Sequence, residues 1–549
     1  MYGEHVILNK RKMATGACMK PISLPHLVRQ SAPYLALVLA VLMAYSNVYH
    51  NQFLFDDDTL ILHNQYVING GPISHIFVSS AAGGAGIVND FYRPLQILLY
   101  VLVNALFGFS TIAFHALNVG LHAANVCLVF ALGRKLGFKP IAVFLGALLW
   151  GLHPLHTEAV TYMSATADTL YVFFCLIGLL VLLPNFSLRR IAVAGLIMVL
   201  GILSKETAVL FPLLAAACLF LVSEDRKNVK IYLRLWPFFL IAGAYYALRM
   251  TVLDFQKFDH SFDMNATLHL YATHLLIRIY TFLATLPFYA ELLIYPWGLH
   301  YERQFPVYMS ALHPDVMTGA VLVVATLAQL AWGRAKRGLA VSWGILWFLG
   351  AHSLNTGLLF PLNSLFLEHW MYLPSIGLWV GFTQSFVKFC EKRFTQELQV
   401  VIAILCLALA GTYGVMTYNQ NAIWRDAFSF YPNVLKYGEP STRSLNNLAN
   451  AYAQKGDYDK ALLLLHQSVQ QYDVLPDVHQ NIAAILFKEG DWQSHPDEII
   501  AELKRALELN PNFLPSCEGL AYVYDVLGNK EQAQFYQKRV QEIRGLFTP

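Results

Sequence analysis

At 549 residues, with 56% hydrophobic residues, only 13% charged residues and a mean hydropathy of +0.46, the chain is too apolar for a soluble protein and reads as a polytopic membrane protein. A net charge of +3 gives no reason to expect nucleic-acid binding. Five of the seven cysteines (Cys127, Cys175, Cys218, Cys390, Cys406) lie in or at the ends of apolar segments, and Cys18 and Cys517 stand alone, so neither a disulfide framework nor a CxxC metal site is implied.

Lys10, Arg11, Lys12, Lys20 and Arg29 precede an apolar run from Ala32 to Val48 with no well-placed small-residue cleavage site, which predicts a retained signal-anchor helix behind a cytoplasmic segment, 1–31. Later basic clusters stand at Arg134/Lys135/Lys139, Arg189/Arg190, Arg226 to Arg234, Arg334 to Arg337 and Lys388 to Arg393. Placing all of them on the cytoplasmic face by the positive-inside rule predicts about eleven spans across residues 32–418, several short for a bilayer that needs about 20 residues. Two apolar stretches are then left on the outer surface. Pro94 to Phe107 is too short to cross, and Leu268 to Trp297 carries charges and is broken by Pro287 and Pro296, so both are expected as interfacial or re-entrant segments.

The chain changes character at about Ser441, beyond a linker expected over 419–440. Leu448-Ala449, Tyr452, Gly456, Tyr458, Ala461 and Leu465 fit the tetratricopeptide pattern, and Ile482-Ala483, Leu486, Gly490 and Trp492 repeat it 34 residues on. A third copy has Leu520-Ala521, Tyr524, Gly528, Ala533 and Tyr536, with four extra residues in the second repeat's turn around Ser494 to Pro496. Residues 441–549 are therefore expected to form an α-solenoid whose concave face takes an extended peptide or docks another protein.

On this topology one face gathers the residues with chemistry. Phe53-Leu54-Phe55-Asp56-Asp57-Asp58 sets adjacent acids behind an aromatic wedge, where a charge drawn into hydrocarbon costs about 2.5–3.5 kcal/mol or more. Asp56 and Asp57 are the candidate catalytic acids. The same face receives Arg93, His153, His156, Glu158, Asp168, Lys205, Glu206, Arg303, Glu368 and His369, a mixture suited to an anionic head group and a proton acceptor. Blander readings stand beside these: Arg93 snorkelling to lipid, a local Lys205–Glu206 ion pair, His153 and His156 as interfacial hydrogen-bonding residues, or zinc ligation by His153, His156 and Glu158 without the HExxH order.

These residues resemble a family, the transmembrane and tetratricopeptide-repeat O-mannosyltransferases and their bacterial relatives, within the C-type (GT-C) fold of lipid-sugar glycosyltransferases. The signs are Phe55-Asp56-Asp57, Tyr92-Arg93-Pro94-Leu95, His153-Pro154-Leu155-His156-Thr157-Glu158-Ala159-Val160, Ser204-Lys205-Glu206, and Glu368 to Gly377, followed by repeats. Where relatives commonly show Gly-Arg-Ala-Asp this chain has Ala165-Thr166-Ala167-Asp168, and where many have Glu-Arg-Tyr it has Glu368-His369-Trp370.

The resemblance implies an all-α GT-C-like membrane enzyme that moves a sugar, mannose or another hexose, from a polyprenyl-phosphate carrier to a Ser or Thr hydroxyl with inversion. Asp56 or the Asp56/Asp57 pair would be the base. Arg93, Lys205, His369 and Arg303 would hold the lipid phosphate, with His153, His156, Glu158, Glu206 and Glu368 lining the substrate site. The sequence requires no cofactor beyond the lipid-linked sugar co-substrate, and a divalent metal at the two acids is the weaker option because no further fixed ligand accompanies them. A bacterial inner membrane with periplasmic repeats is favoured over an endoplasmic reticulum membrane with lumenal ones. The competing classes are a transporter of lipid-linked or anionic solutes and a membrane-anchored repeat scaffold.

Overall fold

The computed structural model of the chain describes residues 24–87, 89–183, 185, 187–224, 226, 228–253, 266–333, 338–438, 441–488, 492 and 496–547, and they contain helices and no strand. Helices of eight or more residues run in the order α1 Leu24–Ala44, α2 Pro94–Phe107, α3 Thr111–Lys135, α4 Pro140–Gly151, α5 Thr166–Leu182, α6 Leu188–Ser204 and α7 Phe211–Val222. They continue with α8 Trp236–Thr251, α9 Ala266–Thr273, α10 Leu275–Ile294, α11 Pro314–Gly333, α12 Leu339–His352, α13 Pro374–Arg393 and α14 Gln396–Ile423. A connecting helix, α15 Ala427–Tyr437, leads to three helix pairs: α16 Thr442–Gln454 with α17 Tyr458–Gln471, α18 Pro476–Lys488 with α19 Pro496–Leu509, and α20 Leu514–Val526 with α21 Lys530–Phe547. The basic residues at 10–20 and 334–337 and the inserted turn at 494–495 lie outside the described residues.

Prolines at the first helical position and hydroxyl or carboxyl caps set where helices begin. Pro94, Pro140 and Pro374 open α2, α4 and α13, where a missing N–H costs nothing. Ser110, Thr395, Asp426 and Ser441 accept backbone N–H bonds at the starts of α3, α14, α15 and α16. Inside the membrane bundle the close packing of α12 on α13 depends on small residues. A Cβ at Gly344 would meet the Gly377 carbonyl oxygen at 2.4 Å, and one at Gly381 would meet that of Ala340 at 2.6 Å.

Among the described residues six helices are long and apolar enough to cross a membrane, or seven if the pair Pro140–Gly151 and Pro154–Thr161, bent by 54°, counts as one span, so the expected eleven are not confirmed. The shortfall has local causes. α4 ends at Gly151, before the break ahead of Pro154, α6 ends at Ser204 after 17 residues, and the last turns of α13 are charged. One of the six is a correction of another kind: α10 runs unbroken through Pro287, where a segment broken by proline was expected. Its far end is anchored in the bundle, with the Ile294 carbonyl accepting from Tyr413 Oη at 2.9 Å and the Leu293 carbonyl 3.1 Å from His153 Nε2. α2 is a 14-residue helix, short of a full crossing.

The connector is helical and packed, not a loose tether. α14 continues to Ile423, and Trp424, Phe430, Tyr431 and Val434 share one apolar cluster with Leu54, Tyr162 and Leu448. Of the repeat positions predicted from spacing, Ala449, Ala461, Leu465, Ile482, Ala483, Leu520, Ala521 and Ala533 are buried within the repeats, Leu448 is buried against the connector, Tyr452, Tyr458, Leu486, Trp492 and Tyr536 are half-buried, and Gly490 lies outside the described residues. Gly456 and Gly528 take the left-handed conformation at the intra-repeat turns, φ +80° and +75°.

Candidate active site at one end of the helix bundle

The acidic turn is held by the helices on either side of it. As the chain leaves α1, Asn51 Nδ2 donates to the Asn421 carbonyl at 3.0 Å and Gln52 N–H to that of Arg425 at 2.8 Å, tying it to the end of α14. Phe53 packs edge-on against Phe114 at 5.6 Å between centroids, and Phe55 against Tyr301 at 5.0 Å. Between them the two acids take opposite roles. Asp57 is 1% exposed, with Oδ2 accepting from Leu54 N–H at 2.9 Å and Oδ1 accepting from Ser164 N–H and Oγ at 2.7 and 2.5 Å. Burial pushes its carboxyl up to about 7 against those bonds.

Asp56 faces solvent, and its backbone N–H donates to Tyr162 Oη at 2.9 Å. The protein crowded around its carboxyl raises the pKa, and Glu302 adds to this, while Arg443, the Tyr162 hydroxyl and Arg93 oppose it. The walls nearby are aromatic. Tyr162 stacks on Trp424 at 5.2 Å and meets Tyr301 at 6.0 Å, and Tyr301 in turn meets Phe430 at 5.8 Å.

The predicted cations are present at this end, each opposite a carboxylate. Arg93 Nη2 and Nε reach Glu206 Oε1 and Oε2 at 3.1 and 3.4 Å, which replaces free snorkelling with a forked ion pair. Lys205 Nζ donates to both oxygens of Asp168 at 2.7 and 2.8 Å, so Lys205 and Glu206 take separate partners and do not form the local pair that their adjacency suggested. Arg303 Nη2 lies 3.2 Å from Glu368 Oε1, which also accepts from His300 N–H at 2.9 Å. His369 Nδ1 is 2.7 Å from Glu158 Oε1, and its backbone N–H donates to Oε2 at 2.9 Å. Arg93 Nη1 makes no hydrogen bond among the described residues, and the guanidinium lies over the Phe91 ring, 4.4 Å from its centroid.

Two tryptophans fix the turn that carries Glu368 and His369. Trp150 and Trp347 donate their indole N–H groups to the Tyr372 and Leu373 carbonyls at 3.0 and 2.9 Å, and Tyr372 Oη sits 2.8 Å from His122 Nδ1. Burial and the neighbouring Glu158 push Glu368 up to about 8, against Arg303 and the His300 amide. His153 and His156 are fully buried, so the interfacial reading of these two is corrected. His153 Nδ1 accepts from Leu155 N–H at 3.2 Å, and the His156 ring lies among Trp150, Tyr372 and Ser375. Glu158 turns away to His369, and among the described residues no three His, Cys, Asp or Glu side chains gather as metal ligands.

Residues 442–469 match the tetratricopeptide repeat model. The chain is 23% identical to protein O-mannosyl-transferase Tmtc1 of Drosophila melanogaster over 86% of its own length and 65% of that protein's. It is 24% identical to protein O-mannosyl-transferase F38B6.6 of Caenorhabditis elegans over 77% and 60% of the two chains. Its homologues are protein O-mannosyl-transferases. Human protein O-mannosyl-transferase TMTC2 matches at 32% over 154 residues, 27% of this chain and 18% of that one. The chain thus spans less than two thirds of the length of each of these relatives. Among solved structures the oligosaccharyltransferase of Archaeoglobus fulgidus matches with a TM-score of 0.41 and 14% identity, covering 79% of this chain and 59% of that one.

Sequence reasoning missed Ser164, Tyr162, Tyr301, Glu302 and Arg443. Ser164 and Tyr162 follow closely on the Glu158 motif and could have been found by asking which donors a buried acid needs. Tyr301, Glu302 and Arg443 reach the site only through the fold and leave no local signal.

Proposed function

We propose that the chain is a membrane glycosyltransferase that moves a sugar, mannose or another hexose, from a polyprenyl-phosphate carrier to a Ser or Thr hydroxyl of a protein presented near the repeats. Asp56 takes the hydroxyl proton as the acceptor oxygen attacks C1 from the face opposite the phosphate. The O–C1 bond forms, the C1–O bond to phosphate breaks, the configuration inverts, and polyprenyl phosphate leaves with one more negative charge. A phosphate leaving group needs no proton, so one base is enough.

The observation that carries this reading is the contrast between the acids: Asp57 spends its carboxylate on Leu54 and Ser164, while Asp56 stays open to solvent among aromatic rings. Its carboxyl is shifted upward, toward the range in which a base works at neutral pH. The phosphate partner best supported is Arg93, whose charge is felt at Asp56 and whose Nη1 is left over from the Glu206 pair. Lys205 and Arg303 are each already engaged with a buried acid, Asp168 and Glu368.

Transfer of radiolabel from polyprenyl-phosphate mannose and its hexose analogues to a Ser/Thr peptide, by the purified chain in lipid, tests the proposal. Label is expected on the peptide with inverted anomeric configuration. Failure of every lipid-linked sugar to label any hydroxyl acceptor would refute it.

A further inference from the structure

Two unusual backbone conformations bracket Asp56. Among the described residues the non-glycine positions with φ in the left-handed region are Phe55 and Glu302, each at +55°. A bulky residue keeps such a conformation only where its surroundings impose it. Here the surroundings are shared, and part of them belongs to the repeat domain.

Glu302 Oε2 accepts from Ser441 Oγ at 2.8 Å and Ser444 Oγ at 2.9 Å, and its Oε1 lies 3.9 Å from Arg443 Nη1. Ser441 is also the N-cap of α16, accepting from Ser444 N–H at 3.0 Å, so the Glu302 carboxylate sits on the positive end of the first repeat helix. From the same turn the Arg443 guanidinium reaches over the Phe55 ring, 5.3 Å from its centroid. Phe55 and Tyr301 close the circle with their ring contact at 5.0 Å. The first turn of α16 therefore holds both strained residues, one by its carboxylate and the other by its ring.

We propose that the first repeat helix is part of the reaction site: Ser441, Arg443 and Ser444 act through Glu302 and Phe55 as positioning residues for Asp56. This rests on Asp56 being the base. The repeats then do more than hold an acceptor. They fix the turn that aims the base and supply a positive charge beside it.

The groups facing Asp56 are Arg443 and Arg93 with positive charge, Glu302 and Asp57 with negative charge, and the hydroxyls of Tyr162, Tyr301 and Tyr431. Arg443 is foremost among those that favour the ionised carboxyl, so its removal moves protonation of Asp56 to higher pH.

The test uses the full chain in lipid and needs no turnover. Carbodiimide labelling of the Asp56 carboxyl, read by peptide mass spectrometry across pH, reports its protonation. In Arg443→Met the labelling midpoint is expected to rise by at least about 0.5 pH unit, with Arg443→Lys returning it toward wild type. In Ser441→Ala/Ser444→Ala the backbone amides of residues 53–57 are expected to exchange hydrogen severalfold faster, while α18 to α21 keep their protection. An unmoved midpoint in Arg443→Met, or unchanged exchange at 53–57 in the serine pair, overturns the proposal. Loss of transfer chemistry altogether would count against the reaction, and leaves both of these readouts intact.

Discussion

Asp56 and Asp57 are neighbours in the chain whose carboxyls point to different environments. Asp57 closes on Leu54 and Ser164 inside the protein, and Asp56 stands at the surface against Tyr162. Replacing Asp57 with alanine strands the Leu54 and Ser164 amides, at about 1–3 kcal/mol for each buried group left unpaired. Asp56→Asn strands no buried backbone amide and keeps a side-chain oxygen for the Tyr162 hydroxyl, so it should leave stability within about 0.5 kcal/mol of wild type. Thermal denaturation of the two variants in lipid checks this, with a large drop in melting temperature for Asp57→Ala and almost none for Asp56→Asn.

The outline of this site was legible in the sequence because its parts are type-specific. Adjacent acids behind aromatic residues at a membrane edge have few structural uses, and the helical-pair repeats announce themselves by the spacing of Leu448-Ala449, Ile482-Ala483 and Leu520-Ala521. Which acid faces outward was not legible, because an irregular turn has no period from which to read direction. Nor was the pairing of Arg93 with Glu206, 113 residues apart, or of His369 with Glu158, 211 apart. The left-handed backbone of Phe55 and Glu302 left no trace either, since that conformation is signalled by glycine and neither residue is one.

Lys205 and Asp168 form a pair that is 10% and 8% exposed at the side chains, so losing one partner leaves a buried charge uncompensated. Lys205→Met is expected to destabilise the membrane domain by about 3–5 kcal/mol, and Lys205→Met with Asp168→Leu by clearly less. A double-mutant cycle on melting midpoints measures the difference; equal losses in the single and double variants would assign Lys205 a role outside the pair.

Glu368 makes the stability of the chain depend on pH. Its carboxyl is raised from 4.5 to about 8 in the folded chain, so the folded state holds the proton more tightly than the unfolded one. The stabilisation is full below the unfolded value and is lost as the pH rises through about 8. The melting temperature is therefore expected to decline over that window in the wild type and to decline less in Glu368→Gln.

His479 lies 5% exposed in the repeat core, with Nδ1 2.6 Å from Glu502 and Nε2 2.6 Å from Asp473. Its pKa is raised: burial works against the charge, and the hydrogen bonds to Glu502 and Asp473 outweigh it. The repeat domain should be firmest below the ordinary histidine value of 6.5 and should lose this contribution as the pH climbs through the raised folded value. His479→Leu leaves the two acids facing an apolar group and is expected to lower repeat stability by about 1–3 kcal/mol at pH 6, with the slope above 6.5 removed. Hydrogen exchange of α18 and α19 as a function of pH reads both effects.

The central claim is that Asp56 removes the acceptor proton while Asp57 only supports the turn. Single-turnover transfer from polyprenyl-phosphate sugar by Asp56→Asn, folded as judged by its melting temperature, tests this most directly. The account predicts a loss of about 10²–10⁴-fold in the chemical step. Transfer at the wild-type rate from a folded Asp56→Asn protein would contradict it.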